Sequence, residues 1–322
     1  MRLSFVLPAF GERENLETLI PRILLQRTPS LELEVLVVDD HSADATLDLI
    51  RAWSKKDPAV RGIRLAKNAG SHMAILCGLA QCTGDAVIVL AADGQDPPEL
   101  TPMLLDQWKI GAQVVWAVRE RRSSESPITL ACSRAYYALM NRWTSVRLPS
   151  KGADFFLLDR RVIDVLKNLP ERNTSLLALI AWLGFRQIEV KYDKRARGAG
   201  ISKWTFAKRV RLTLDSLFGF SVLPLKMAFT LGFLYSLVGF AYASLLVANK
   251  ISAGRILGAQ AAEGWSALMV VILISSGMSM FLLGVFGEYL WRTLEEVRGR
   301  PRFLIEESVN ITPAKSVLEK EL

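Results

Sequence analysis

Glu34-Val35-Leu36-Val37-Val38-Asp39-Asp40-His41-Ser42-Ala43-Asp44 decides how this chain folds. Four apolar residues in succession, three of them valine, make a run that is short enough for a strand and too apolar to have a wet face. It reads as a central strand buried on both sides. The run then breaks into acids and small polar residues, and a helical pattern over 46–53 follows. Outward from this unit, residues 3–7, 62–65, 86–90 and 113–118 repeat the strand pattern, and helical stretches such as 14–25 separate several of them. This alternation predicts βαβ units and a parallel sheet covered on both faces.

Ligands of such sheets bind beyond the carboxyl ends of the strands, and three of those ends are rich in polar residues. They read Pro8-Ala9-Phe10-Gly11-Glu12, then Asp39 to Asp44, then Ala91-Ala92-Asp93-Gly94-Gln95-Asp96-Pro97-Pro98-Glu99. The oxygens of Asp93, Gln95 and Asp96 suit Mg²⁺ or Mn²⁺ shared with substrate phosphates. Asp39 and Asp40 have the chemistry to hydrogen-bond a base or ribose. No Gly-x-Gly-x-x-Gly or phosphate-loop lysine follows the first strand, which argues against dinucleotide and P-loop readings.

The composition fits a domain with an addition. At 322 residues the chain has room for about two units of roughly 150 residues, and 51% hydrophobic content with 22% charged excludes a disordered chain and a small disulfide scaffold. The three cysteines, Cys77, Cys82 and Cys132, have no metal-ligand spacing, and they read as reduced thiols. The net charge is +8, and residues 186–211 hold nine Lys or Arg against two acids, which is +7 of that total. A basic cluster of this kind calls for an anionic partner.

Two windows, 227–248 and 265–287, run 22 and 23 residues without a charge, and both exceed the roughly 20 needed to cross a bilayer. They predict a transmembrane hairpin. Cations flank its outer ends more densely than its connection, so the positive-inside rule puts both termini in the cytoplasm of an integral membrane protein, with the bacterial inner membrane as the expected site. Residues 1–8 lack the form of a secretory signal. Residues 204–220 mix cations with Trp204, Phe206 and leucines, as in a helix lying in the membrane interface. The basic cluster leads into a span and presents no recognition helix, so nucleic acid is not an expected partner.

Taken in order, the segments above, together with Lys67-Asn68-Ala69-Gly70, Arg197-Gly198-Ala199-Gly200-Ile201-Ser202-Lys203-Trp204 and Gly287-Glu288-Tyr289, resemble the successive motifs of family 2 glycosyltransferases. Within that family they are most similar to the polyprenyl-phosphate glycosyltransferases. The resemblance implies an α/β fold of GT-A type with a nucleotide sugar, UDP- or GDP-linked, over the strand ends. Pro8, Phe10, Glu12, Asp39, Asp40, Asn68, Asp93, Gly94 and Gln95 would surround the donor, and Asp93, Gln95 and Asp96 would meet the metal. Asp154 falls at the family's acidic residue near the acceptor, and Arg197, Ser202 and Lys203 match the segment that closes over the phosphates. The chain departs from the family's pattern at Ala91 and Gly94 in the metal motif, at Phe10-Gly11, at His41 where glycine is common, and at Leu177-Ala178 where Arg-Gly is expected.

The resemblance implies transfer of one sugar to a polyprenyl phosphate. A lipid monophosphate has a second pKa near 6, so it is largely dianionic at neutral pH and attacks the anomeric carbon without a strong base. Asp154 would then orient the acceptor, and in-line attack inverts the anomeric carbon. The expected organisation is a GT-A domain over 1–203, an interface segment over 204–226, two spans within 227–290 and a cytoplasmic tail over 291–322. The rival readings are a processive polysaccharide synthase, disfavoured by the absent Gln-x-x-Arg-Trp motif, and a non-catalytic membrane scaffold, prompted by Ala91. Gly232, Gly239, Gly277 and Gly284 provide small faces through which the hairpin could pack against copies of itself.

Overall fold

The strand predicted around Val35 is β2, Glu32–Asp39, and it pairs in parallel with β1, Arg2–Ala9, along its whole length. The structure is a computed structural model and describes residues 1–120, 149, 155–169, 171, 175–193, 219, 221, 223–251 and 265–311. The chain divides into two units. Met1–Ser216 with Arg300–Leu322 forms the first, and Leu217–Gly299 forms the second.

In the first unit, α1 (Arg13–Leu24), α2 (Thr46–Lys56), β3 (Val60–Leu65), α3 (Ser71–Gln81) and β4 (Ala86–Val89) continue the expected alternation. After a short 3₁₀ turn come α4 (Thr101–Lys109), β5 (Val114–Arg119), β6 (Phe155–Asp159), α5 (Arg160–Asn168), α6 (Leu176–Trp182) and β7 (Gln187–Tyr192). The last strand, β8 (Ile305–Val309), returns after the second unit. The sheet order is β7-β5-β6-β4-β1-β2-β3-β8.

The sheet is mixed: the five strands expected over residues 3–118 run in one direction, as the βαβ pattern predicted, and two later strands oppose them. β1 to β4 are parallel to one another, β6 lies antiparallel between β4 and β5, β7 is parallel to β5, and β8 lies antiparallel on β3. The apolar run at 155–159 gives no direction, and 305–309 has no clean strand alternation, so the sequence pattern left these two placements open.

One face of the sheet carries Leu3, Phe5, Leu7, Val35, Val37 and Ile88, packed with Leu16, Leu19 and Ile20 of α1, Ile50 of α2 and Leu104 of α4. On the other face α3 lies against β1 and β2 and packs beside α5. Its approach is close, because a Cβ on Gly78 would sit 2.4 Å from Val6 Cγ1 and 3.2 Å from Val38 Cγ2. Cys77 and Cys82 are buried in this layer, as their apolar surroundings predicted. Burial pushes the Cys77 thiol up to about 12, so it is inert at neutral pH.

The second unit contains α7, Leu223–Ile251, and α8, Trp265–Val297. At 1.5 Å per residue, 29 and 33 residues reach about 43 and 50 Å, beyond the roughly 30 Å of hydrocarbon. Their apolar side chains, Phe229, Phe240, Leu273 and Leu283 among them, are exposed. The Tyr235 hydroxyl donates to the Val271 carbonyl at 3.2 Å, which ties the two helices together. Both helices outrun their apolar windows, and α8 continues through Glu288 and Arg292, an ion pair of 2.8 Å one turn apart. The stretch expected as a tail therefore divides, with 291–297 completing α8 and 305–309 forming a sheet strand.

Candidate active site

β1 is flanked by β2 on one side and β4 on the other. The strand order therefore reverses between β1 and β4, and an open α/β sheet opens its binding crevice at the carboxyl ends beside that switch point. Four loops meet this edge, after β1, β2, β3 and β4. Together with the strand ends that feed them, which hold Pro8 and Asp39, they carry all ten of the expected donor and metal residues.

After β1, Pro8 is still in register with Val38, Phe10 is 40% exposed, and the Gly11 N–H donates to Ser42 Oγ at 2.8 Å. Glu12 accepts from Asn15 Nδ2 at 2.6 Å, which steadies the start of α1. The first two loops are thus joined by a bond that leaves the Phe10 ring facing outward.

The β2 loop departs from expectation. Asp39 and Asp40 were expected to offer their carboxylates to a base or ribose, yet both are buried and already bonded within the chain. Asp39 accepts the Ser42 N–H at 2.9 Å and an Arg64 guanidinium N–H at 2.8 Å. Asp40 accepts the N–H groups of Ala69 and Gly70 at 2.7 and 2.9 Å, so it holds the turn that starts α3. Burial pushes the Asp40 carboxyl above its ordinary value, with Asp39 adding to the rise, while the two N–H donors and His41 oppose it. These acids shape the loop from beneath, and Asn68, exposed between them and α3, is the side chain of this group that faces out.

His41 stands at φ 61°, in the left-handed region. A glycine is the usual occupant of such a backbone, which fits the glycine that the resemblance leads one to expect there. Here the His41 ring donates from Nδ1 to the Leu65 carbonyl at 3.1 Å.

After β4, Asp93 is almost fully buried and its Oδ1 accepts the Gln95 N–H at 3.2 Å. Gly94 between them has φ +70°, and a Cβ there would meet nothing within 4 Å. The glycine is therefore needed for its backbone conformation, and the space beside it is open. Asp96, the third expected metal ligand, is wholly buried and accepts the Tyr192 hydroxyl at the end of β7. Burial first, and then the Asp96 charge, push the Tyr192 hydroxyl far above its ordinary value. Asp96 thus ties the loop to β7. Arg22 grips the loop's far end through two bonds to Glu99, 3.0 and 2.9 Å.

A divalent cation, implied by the resemblance, finds a matching donor set in Asp93 and Gln95. Their hard oxygens flank an open glycine turn. Among the described residues no three His, Cys, Asp or Glu side chains gather as a complete ligand set. A cation there would draw its other ligands from phosphate and water, the normal habit of Mg²⁺ and Mn²⁺ in phosphate sites.

Asp154, Arg197, Ser202 and Lys203 lie outside the described residues. The sequence reading missed Arg64, Tyr192 and Glu306, the residues that hold the loops. Arg64 was visible only as one cation in a strand, and its partner depends on a register that periodicity does not supply.

A mixed sheet with acidic loops gathered at its switch point is the GT-A arrangement of a glycosyltransferase. Residues 4–166 match the model of glycosyl transferase family 2, and the chain belongs to that family. An uncharacterized glycosyltransferase of Synechocystis sp. is 37% identical over 308 residues, 95% of each chain. The bactoprenol glucosyl transferase of Shigella phage SfII is 32% identical over 309 residues, 96% of this chain and 98% of the relative. A mannosyltransferase of Pyrobaculum calidifontis, solved with GDP-Man and Mn²⁺, is 20% identical with a TM-score of 0.49, covering 90% of this chain and 87% of that one.

Proposed function

We propose that this glycosyltransferase moves one sugar from a UDP- or GDP-linked donor to a polyprenyl phosphate at the cytoplasmic face of a membrane, with inversion and with Mg²⁺ or Mn²⁺. The observation that carries the reading is the Asp93-Gly94-Gln95 turn at the switch point of a domain whose chain continues into two helices long and apolar enough to span a bilayer. A relative covering nearly the whole chain that is named for bactoprenol as acceptor supports the lipid half of the reading.

In this proposal residues 1–203 form the catalytic domain, 204–226 meet the interface and the hairpin anchors the enzyme. Pro8, Phe10, Glu12 and Asn68 contact the nucleotide directly, while Asp39 and Asp40 set the loop against which it lies. Asp93 and Gln95 hold the cation, which supplies positive charge to the leaving diphosphate. Arg197, Ser202 and Lys203 bind phosphate oxygens of donor and acceptor. Asp154 orients the acceptor phosphate, whose own dianionic charge makes it the nucleophile. The two substrates repel each other, and cancelling that repulsion is the chief task of the protein.

The test is transfer by the purified, detergent-solubilised chain from a panel of radiolabelled UDP- and GDP-sugars to undecaprenyl phosphate. Label should move from one donor into an organic-extractable lipid, and EDTA should stop it. Failure with every donor, in protein shown to be folded, would sink the catalytic reading and favour a scaffold. Repeated addition of sugar to one acceptor would favour a processive synthase.

A further inference from the structure

β8 follows both long helices in the chain, yet it belongs to the first unit and forms the edge of its sheet beside β3. The attachment is specific. Ala66 donates its N–H to the Leu304 carbonyl at 2.9 Å, and Asn310 Nδ2 donates to the Pro58 carbonyl at 2.9 Å. The register slips here, since Arg64 lies opposite Glu307 while Leu65 lies opposite Ile305. Glu306 falls at the slip as the extra residue of a bulge, and bulges re-aim side chains at sheet edges and beside active sites.

Its two consecutive acids consequently serve different neighbours. Glu307 accepts from Arg51 of α2 at 3.0 and 2.6 Å. Glu306 accepts from Arg64 Nε at 3.0 Å and lies 3.4 Å from His41 Nδ1. The remaining Arg64 donors are aimed at the β2 loop, Nη1 at Asp39 and Nη2 at the Ser42 carbonyl, 2.8 and 3.1 Å away. The guanidinium is a rigid planar fork, so fixing its Nε edge fixes the direction of the other two bonds.

We infer that Glu306 is a positioning residue for the donor loop. It orients Arg64, and through Arg64 it sets Asp39 and the 39–42 turn. The nucleotide half of the site is then completed by a strand that the chain supplies only after its two long helices. This inference rests on the reading of the 39–42 loop as a nucleotide contact, and it adds a residue that acts on that contact from a distance.

The experiment compares Glu306→Gln, Glu307→Gln and Asp39→Asn in the full-length, detergent-solubilised protein. Dissociation constants for UDP and for GDP with Mn²⁺ are read by calorimetry, donor KM and kcat by transfer, and melting temperature alongside. Glu306→Gln should weaken the preferred nucleotide and raise donor KM about 2- to 5-fold, the scale of a half-exposed ion pair, with kcat held. Glu307→Gln removes an equal charge one residue away and should leave both constants unchanged. Equal shifts in the two glutamate variants, or no shift in Glu306→Gln, would overturn the inference by reducing β8 to a structural edge. Asp39→Asn separates the two claims. If it weakens nucleotide while Glu306→Gln does not, the site reading stands and the inference fails; if it leaves nucleotide binding intact, the reading of the loop fails.

Discussion

β2 ends in a buried carboxylate on either side, Glu34 at its amino end and Asp39 at its carboxyl end, and each is paired with an arginine of β3. At the amino end the arrangement is closed. Glu34 accepts from Arg61, the Ser4 hydroxyl, the Thr83 N–H at 2.8 Å and the Thr83 hydroxyl at 3.1 Å, and Ser4 Oγ in turn accepts the Gly84 N–H at 2.9 Å. At the carboxyl end Asp39 and Arg64 are bonded to loops, and Arg64 passes the connection on to β8. The same kind of ion pair thus closes one end of the sheet and shapes, at the other, the loops proposed to meet the nucleotide. The amino end serves stability, while the carboxyl end holds the edge at which open α/β sheets bind their ligands.

The hardest blow to this contrast is struck at the closed end. Glu34→Ala would leave Arg61 charged and largely buried and would strip the Ser4 and Thr83 donors of their acceptor, a change expected to cost about 3–5 kcal/mol of stability. Chemical denaturation of the isolated first unit's signal should show that loss, while nucleotide affinity per folded molecule stays unchanged. A weakened affinity in the folded protein would break the division of labour. Asp93→Ala should do the reverse. Transfer is expected to fall at least about 100-fold, far more than any accompanying loss of folded protein accounts for.

Next in size is a perturbation that reaches both ends. α3 follows directly on Gly70, held by Asp40, and it ends just before Thr83, held by Glu34. It is a strut between the two acidic clamps, seated on β1 through Gly78. Gly78→Ala would drive a Cβ against Val6 at 2.4 Å, costing about 1–3 kcal/mol as overpacking. Stability and nucleotide affinity should fall together in this variant, unlike either of the first two. A change in stability alone would show that the ends are independent.

How much of this was legible in the sequence follows from what each feature depends on. The run at Val35, the helical pattern after Thr46 and the acidic strand ends are local, and periodicity with turn chemistry found them. The set of residues at the site edge was legible for the same reason, since each lies next to the end of its own strand. Their roles were harder to read. Asp39 and Asp40 look like ligand-facing acids in any linear reading, and only the packing of Arg64 and the 69–70 turn shows that they face inward. β8 was missed because Ile305-Glu306-Glu307-Ser308-Val309 has no clean alternation, its bulge placing two acids in succession on different partners. Tyr192 and Asp96 are 96 residues apart, a separation at which no pattern in one chain predicts contact.

The gentlest test of the comparison is a slope against pH at Asp40. Its carboxyl titrates above the ordinary 3.8 because burial outweighs the Ala69 and Gly70 donors, and among the described residues no arginine or lysine side chain bonds it. The folded state therefore holds this proton more tightly than the unfolded chain does. Its contribution to stability is full below pH 3.8 and is lost as pH rises through the raised folded value. Asp40→Asn cannot lose a proton, and its single oxygen meets one of the two N–H groups, a penalty that does not change with pH. The difference in melting temperature between the native chain and Asp40→Asn should thus favour the native chain most in acid, shrink as pH rises above 3.8, and become level once Asp40 is ionised. An arginine bonded to this carboxylate would offset the cost of ionisation and turn the slope around. A native chain that gains on Asp40→Asn with rising pH would mean that a cation, and not the two backbone N–H groups alone, holds the α3 clamp.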